Sequence, residues 1–298
     1  VNGEPATATI GLTSLNVCCG LASALPPPKE RAVEFCRRLD ESDVDVVNVQ
    51  EVWTPGLFRA IRAQLPSFPF VARATGVAGQ PAGGLASFSR LPLQSVTYQS
   101  FRGSRPRAAG PLFRANRALW SRLQGTLTFE LAGRRTVVGN VHLTANKDGD
   151  WSADNRHHLF QRTQLEMFHQ ALQQARRPDT ELVIASGDLN VPDSAPLYPL
   201  VVDGGAWRDP FHAVGRPTFH PELLPSGASA HRVDYLLVAG DAERHPVTET
   251  GLLFAEPVRL AGGDLSYLSD HLGLTARVVL PAAPRAAPPQ RARAVGTG

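Results

Sequence analysis

Carboxylates, amides and histidines close apolar, strand-like runs all along this chain. In order they are Asn16 in LTSLNVC, Glu51 in VDVVNVQE, His142 in TVVGNVHL, Asp188 and Asn190 in LVIASGDLN, Asp234 in HRVDYLLV, and Asp270 and His271 in LSDHLGL. Strand ends hold side chains rigidly, and reactive groups are commonly carried where such a scaffold meets a loop. The residue types point to a hard divalent cation and two histidines working on a phosphate ester. Glu51 directly follows a buried run, so it is expected to be solvated at the strand mouth, paired, or bound to metal. Mg2+ favours few carboxylates, several waters and a substrate phosphate oxygen. Glu51 with the amide oxygen of Asn16 suits that recipe, with Mn2+ as the expected substitute. Neither residue is specific alone, since Asn after a strand is commonly a turn former.

Asp188 and Asn190 are two positions apart, so on an extended backbone they point to one side. A carboxylate and an amide facing one spot can orient a water and bind a phosphoryl oxygen. The same letters also read as an ordinary turn after a strand. His142 and His271 offer proton chemistry near neutrality. Asp234 could accept a hydrogen bond from a histidine and fix its tautomer, as acids do in triads. The alternative is a pair of structural strand histidines. Zinc is not expected, because His157, His158 and His212 lack the spacing of zinc ligands.

The elements that must position these residues are strands with helices between some of them. Strand-like runs are Ala8–Cys18, Val44–Val49, Leu85–Phe88, Val96–Tyr98, Gly125–Leu131, Thr136–Leu143, Leu182–Ala185, Val233–Val238 and Leu272–Leu280. Ala132, Gly133 and Arg134 suggest a hairpin turn. Helical patterns cover Lys29–Leu39, with Val33, Phe35, Cys36 and Leu39 on one face, Gly56–Leu65, and Asn155–Ala175 with Leu165, Phe168 and Leu172 aligned. There is no internal sequence repeat. Such a mixture predicts an α/β fold of packed sheets with helices outside, in one domain of roughly 280 residues.

Composition agrees. Hydrophobic residues make up 43% and charged residues 19%, which excludes a disordered chain. No apolar run approaches the ~18 residues that span a bilayer. Three cysteines, Cys18, Cys19 and Cys36, give no disulfide framework and read as small core residues. The net charge is only +3, but Val52–Phe129 carries ten arginines and no acid. That bias favours an anionic partner, nucleic acid or lipid headgroup, or else marks a solvated face whose acids lie elsewhere in the fold. The chain opens without methionine, which fits a processed terminus or an arbitrary boundary of the sequence. Residues 282–298, rich in Pro, Ala and Arg, read as a disordered tail behind a catalytic domain of residues 1–281.

Taken together, SLNV, QE, GDLN, RVDYLLV and SDH resemble the endonuclease/exonuclease/phosphatase superfamily over about Thr9 to Leu280. Within it the chain looks most like the neutral sphingomyelinases, through LNVCCG, QEVW, GGLASFSRLPL and NVHLTAN. The resemblance implies a DNase-like, four-layer α/β sandwich of two packed mixed sheets flanked by helices. It implies Mg2+ held by Glu51 and Asn16, with Asp270 supporting the metal shell or His271. His271, oriented by Asp234, would take a proton from the attacking water, and Asp188 would position that water. Asn190 and His142 would donate to the phosphate, unless His142 instead protonates the leaving oxygen. Sphingomyelin or a related choline lysophospholipid is the substrate implied, with ceramide and phosphocholine as the products from sphingomyelin. Two departures stand out: Thr144 where relatives show Gln or His, and Cys19 where they show Trp. Membrane contact would be peripheral, with Leu112, Phe113 and Trp120 as candidates or else as packing residues, and the enzyme secreted or peripherally membrane-associated, with the cytoplasm as the alternative. Nucleic acid is the alternative substrate, and a non-catalytic lipid-binding module the alternative class.

Overall fold

Prolines punctuate this chain. Pro28, Pro55 and Pro111 each open a helix, where a missing N–H costs nothing. Thr54 caps the second of these, its hydroxyl accepting from the Leu57 N–H at 3.1 Å.

The computed structural model describes residues 8–19, 25–104, 110–224 and 226–280. The stretch 282–298, Arg105 and Arg107 lie outside the described residues. In chain order the elements are β1 (Thr9–Asn16), α1 (Pro28–Asp40), β2 (Val46–Gln50), α2 (Pro55–Gln64), β3 (Phe70–Ala72), β4 (Ala86–Ser89), β5 (Leu93–Ser100), α3 (Pro111–Leu123), β6 (Gly125–Leu131) and β7 (Thr136–His142). They continue with α4 (His158–Ala175), β8 (Leu182–Asp188), the short α5 (Tyr198–Val201), β9 (Asp234–Ala239), β10 (Val247–Leu253), a small ribbon of β11 (Val258–Arg259) and β12 (Leu265–Ser266), and β13 (Gly273–Val279).

Two mixed sheets result, ordered β10-β13-β1-β2-β4-β3 and β5-β6-β7-β8-β9. Each has a parallel pair, β1 with β2 and β7 with β8, flanked on both sides by antiparallel neighbours. Parallel neighbours need a long crossover, and α1 and α4 supply the two. A sequence without repeats therefore folds into two sheets of matching topology. Leu12, Val46, Val138, Ile184, Leu236 and Leu274 meet between the sheets. Phe35, Leu39 and Ile61 pack helices α1 and α2 on one outer face, while Leu165, Phe168 and Leu172 pack α4 on the other. This is the four-layer α/β sandwich. No described helix is long and apolar enough to cross a membrane.

The sequence reading misplaced some pieces. Val33 is exposed, and α1 instead buries Arg31 beside Phe35, Cys36 and Leu39. Helix α3 and edge strands β3 and β10 were not anticipated. Cys18 and Cys36 are buried and Cys19 is half-buried.

One glycine is decisive. A Cβ on Gly187 would stand 1.9 Å from the carbonyl oxygen of Val141, in the strand that pairs with β8. Gly187→Ala must therefore force β7 and β8 apart just before Asp188. We expect a loss of about 3 kcal/mol or more, read by urea denaturation. A loss below about 1 kcal/mol would contradict this packing.

Candidate active site

Every second residue of four central strands faces the gap between the sheets, and the side chains grade from apolar to polar along it. The series are Leu12-Ser14-Asn16, Val46-Asn48-Gln50, Val138-Asn140-His142 and Ile184-Ser186-Asp188, in register within each sheet. The middle polar layer joins the sheets. Asn48 Nδ2 donates to Gly139 O at 3.1 Å and Ser186 Oγ at 3.0 Å, and Gln50 Nε2 donates to Asn140 Oδ1 at 2.9 Å. Most buried polar groups are paired in this way. At the end of the gradient sit Asn16, His142 and Asp188, with Glu51 following β2.

Asp188 is the hub. Its Oδ2 accepts from Asn16 Nδ2 at 3.0 Å and lies 3.5 Å from His142 Nε2 and 3.8 Å from His271 Nε2. Asn16 Nδ2 also reaches Glu51 Oε1 at 3.3 Å. His271 Nδ1–H donates to Asp234 Oδ2 at 2.8 Å, and Asp270 Oδ1 lies 3.9 Å from His271 Nε2. Asn16, Glu51, His142, Asp188, Asp234, Asp270 and His271 thus form one connected cluster at the rim where the sheets meet.

Two sequence expectations need correction. Asn190 does not share an extended face with Asp188. Its φ is 51°, its N–H donates to Asp188 Oδ1 at 2.9 Å, and its amide nitrogen donates to Leu143 O at 3.0 Å. Asp188 therefore ends the strand and closes a turn on itself, the local habit of Asp and Asn. Asn16 points its amide nitrogen, not its oxygen, at Glu51, because Oδ1 accepts from the Cys18 N–H at 3.0 Å. A half-turn about its terminal bond exchanges the two ends.

The profile of the Endonuclease/Exonuclease/phosphatase family matches residues 13–271, the span that holds every one of these side chains. This chain belongs to that family. No curated relative matches the sequence. Solved structures share the fold at low identity. One is D. rerio TDP2 complexed with a single-strand DNA product, at 18% identity and TM-score 0.65, covering 91% of this chain and 99% of that one. SmcL is similar at 15% identity and TM-score 0.67, covering 91% and 99%. Sphingomyelinase C from Streptomyces griseocarneus is similar at 19% identity and TM-score 0.62, again covering 91% and 99%.

In this endonuclease/exonuclease/phosphatase protein the electrostatics follow from burial. Desolvation, aided by the charge of Asp234, pushes the Asp188 carboxyl up to about 6, against the pull of His271, His142 and Asn16. Burial alone would favour neutral His271, but Asp234 and Asp188 outweigh it and raise its pKa well above the usual histidine value. Asp188, Asp234 and His271 present ligand atoms within 4.8 Å of one another. His271 is hydrogen-bonded to Asp234 and Asp188 to Asn16, with His271 Nε2 3.8 Å from Asp188, an arrangement suited to handling a proton. Glu51 is half-buried, with Oε2 accepting from the Cys19 N–H at 3.0 Å and an unusual φ of 64°. A non-glycine residue held there stores strain, which is common at functional positions. The oxygen-bearing pair of Glu51 and Asn16 suits a hard divalent cation, and Asp270 joins the cluster through His271.

Several supporting residues escaped the sequence reading. Arg31 is fully buried and donates to the carbonyls of Pro26 (2.8 Å), Val17 (2.9 Å), Cys18 (2.6 Å) and Leu268 (2.5 Å). It fixes the turn that presents Cys19 N–H to Glu51, and ties that turn to the segment before Asp270. Arg31→Met should leave these acceptors unpaired and cost about 3 kcal/mol or more in chemical denaturation; a change under about 1 kcal/mol would remove this role. Ser269 Oγ donates to Asn16 O at 2.5 Å and accepts from the His271 N–H at 3.2 Å, stitching the last segment to β1. Thr218 Oγ1 accepts from the N–H groups of Val233 and Asp234, at 3.0 and 3.1 Å, and so sets the start of β9. Trp53 lies 6.0 Å from the His142 ring and walls that side of the site.

Proposed function

We propose that this protein is a divalent-metal-dependent phosphodiesterase of the sphingomyelinase C type, cleaving a choline phospholipid between the phosphate and the lipid alcohol. The observation that carries the reading is the Glu51–Asn16–Asp188–His271–Asp234 chain of contacts. It joins a cation-suited carboxylate to a paired histidine across two sheets. Glu51 would hold Mg2+ or Mn2+, with Asn16 steadying its carboxylate as a donor and joining as a ligand only by giving up its bond to the Cys18 N–H, and Asp270 stands by. A cation there supplies positive charge against the negative charge that builds on the phosphate during attack.

The chain's own residues do the rest. Asp234 holds His271 in the tautomer whose free Nε2 faces the cluster, so His271 takes the proton from the attacking water. Asp188, between the two histidines, positions that water. His142 donates to the phosphate or to the departing oxygen. Asn190 keeps one amide hydrogen beyond its bond to Leu143 and can give it to the phosphate. Attack is in line, and no covalent enzyme intermediate is needed.

The lipid assignment is supported by the motifs shared with neutral sphingomyelinases and by fold relatives named SmcL and sphingomyelinase C. A nuclease is the second reading, favoured by the arginine-rich, acid-free stretch Val52–Phe129. One panel separates them: sphingomyelin, phosphatidylcholine, lysophosphatidylcholine, plasmid DNA and inositol phosphates, each with Mg2+ and with chelator. Release of phosphocholine from sphingomyelin only when Mg2+ is present is the expected result. DNA nicking without lipid cleavage would transfer the proposal to the nuclease, and full turnover in excess chelator would end the metal assignment.

A further inference from the structure

Helix α3 wears its apolar residues on the outside. Leu112 is 86% exposed, Leu119 56%, and Trp120 and Leu123 37% each. Leu112, Leu119 and Leu123 fall on one face of the helix, since seven and eleven residues are close to whole numbers of turns. A surface helix ordinarily turns such a stripe toward the core. Here the opposite side does the anchoring. The Phe113 ring packs on His157 at 4.9 Å and beneath the Arg156 guanidinium at 4.4 Å, and Arg117 reaches Ala145 O at 3.4 Å. Phe113 is thus a packing residue rather than a membrane contact.

The charge around the stripe is of one sign. Arg102, Arg114 and Arg122 are exposed, and none has a carboxylate within ion-pair distance among the described residues. The helix itself contains no acid. It also lies beside the candidate site: Trp120 meets Trp53 edge-on at 6.1 Å, and Trp53 meets His142 at 6.0 Å.

We propose that α3 is a docking helix for an anionic lipid bilayer. It lies flat in the interface, with Leu112, Leu119 and Leu123 in the acyl boundary and Arg114 and Arg122 among the headgroup phosphates. A polyanion such as nucleic acid would satisfy the arginines and leave the leucines in water. A bilayer satisfies both, which is why the lipid surface is chosen. The Trp120–Trp53 contact then sets the mouth of the site over the headgroup layer. The placement of a substrate rests on the phosphodiesterase reading; the docking itself does not.

The test is vesicle co-sedimentation in excess chelator, so that turnover plays no part. The full chain is mixed with vesicles of phosphatidylcholine alone or with added phosphatidylserine, and separately with a single-stranded oligonucleotide. Binding to the phosphatidylserine vesicles is expected. Leu112→Glu with Leu119→Glu should weaken it by tenfold or more. Arg114→Gln with Arg122→Gln should weaken it by about tenfold and flatten its salt dependence. Both pairs are surface substitutions, and an unchanged thermal midpoint checks that each variant folds. Both should also hydrolyse a soluble phosphodiester at the parent rate. No vesicle binding by the parent overturns the proposal. So does a leucine pair that changes nothing while the arginine pair abolishes vesicle and oligonucleotide binding alike. A protein that docks but cleaves no choline lipid keeps the helix assignment and loses the substrate assignment.

Discussion

Replacing His271 with alanine is expected to slow phosphodiester hydrolysis by roughly 10²–10⁴-fold, the usual share of general acid–base catalysis. The expectation comes from geometry. His271 has one ring nitrogen bound to buried Asp234 and the other 3.8 Å from Asp188 Oδ2, at the centre of the cluster. A loss under tenfold in single-turnover assays would remove His271 from the proton-accepting role. The direction of its titration gives a companion test. Asp234 and Asp188 hold its proton tightly, so the neutral, proton-accepting form fills only as pH rises beyond the ordinary histidine value near 6.5. Rate should therefore climb on the alkaline side. Asp234→Asn removes the largest of the raising influences, so the limb should move to lower pH while the maximal rate falls. The same pair has a signature in stability. Its contribution is complete below about 6.5 and fades as pH rises through the raised folded value. A limb that stays in place in Asp234→Asn would break the coupling.

Glu51→Gln should lower turnover by about 10³-fold or more, because several kcal/mol of charge stabilisation are lost with the carboxylate that suits the cation. Shape is retained, and the amide oxygen still accepts from Cys19 N–H. The substitution is isosteric at a half-buried position, so the thermal midpoint in chelator should fall little. The pairing of lost turnover with preserved stability identifies a functional carboxylate; a matching collapse of both would make Glu51 structural. Isothermal titration with Mg2+ supplies the direct reading, with a heat signal in the parent and none in Glu51→Gln.

The strand ends that carry Asn16, Glu51, His142 and Asp188 were legible because alternation is a local property, and two-residue spacing fixes which face a side chain takes. The partner strands were less so. Strand β10, VTETGLL, is an exposed edge whose threonines and glutamate blur the pattern. Helix α3 was hidden for the opposite reason: its leucines do not face the core, so no core-directed periodicity marks it. Arg31 was invisible because an arginine in an amphipathic helix reads as solvated, and only the fold shows carbonyls converging on it. The turn at Asn190 depends on a left-handed backbone. The letters SGDLN permit that conformation but do not require it. The rotation of the Asn16 amide is set by Cys18, two residues on, through a bond that no spacing rule reveals.

Strand β13 comes last along the described chain, yet it sits inside its sheet between β1 and β10. On the ribosome, Asn16, Glu51, His142, Asp188 and Asp234 all emerge before His271. Until β13 slots in, β1 keeps an open edge prone to wrong partners, and His271, the proposed proton acceptor, is not in place. Under the proposed mechanism the nascent polypeptide is inert toward phosphodiesters, and hydrolytic competence begins only when the closing strand docks.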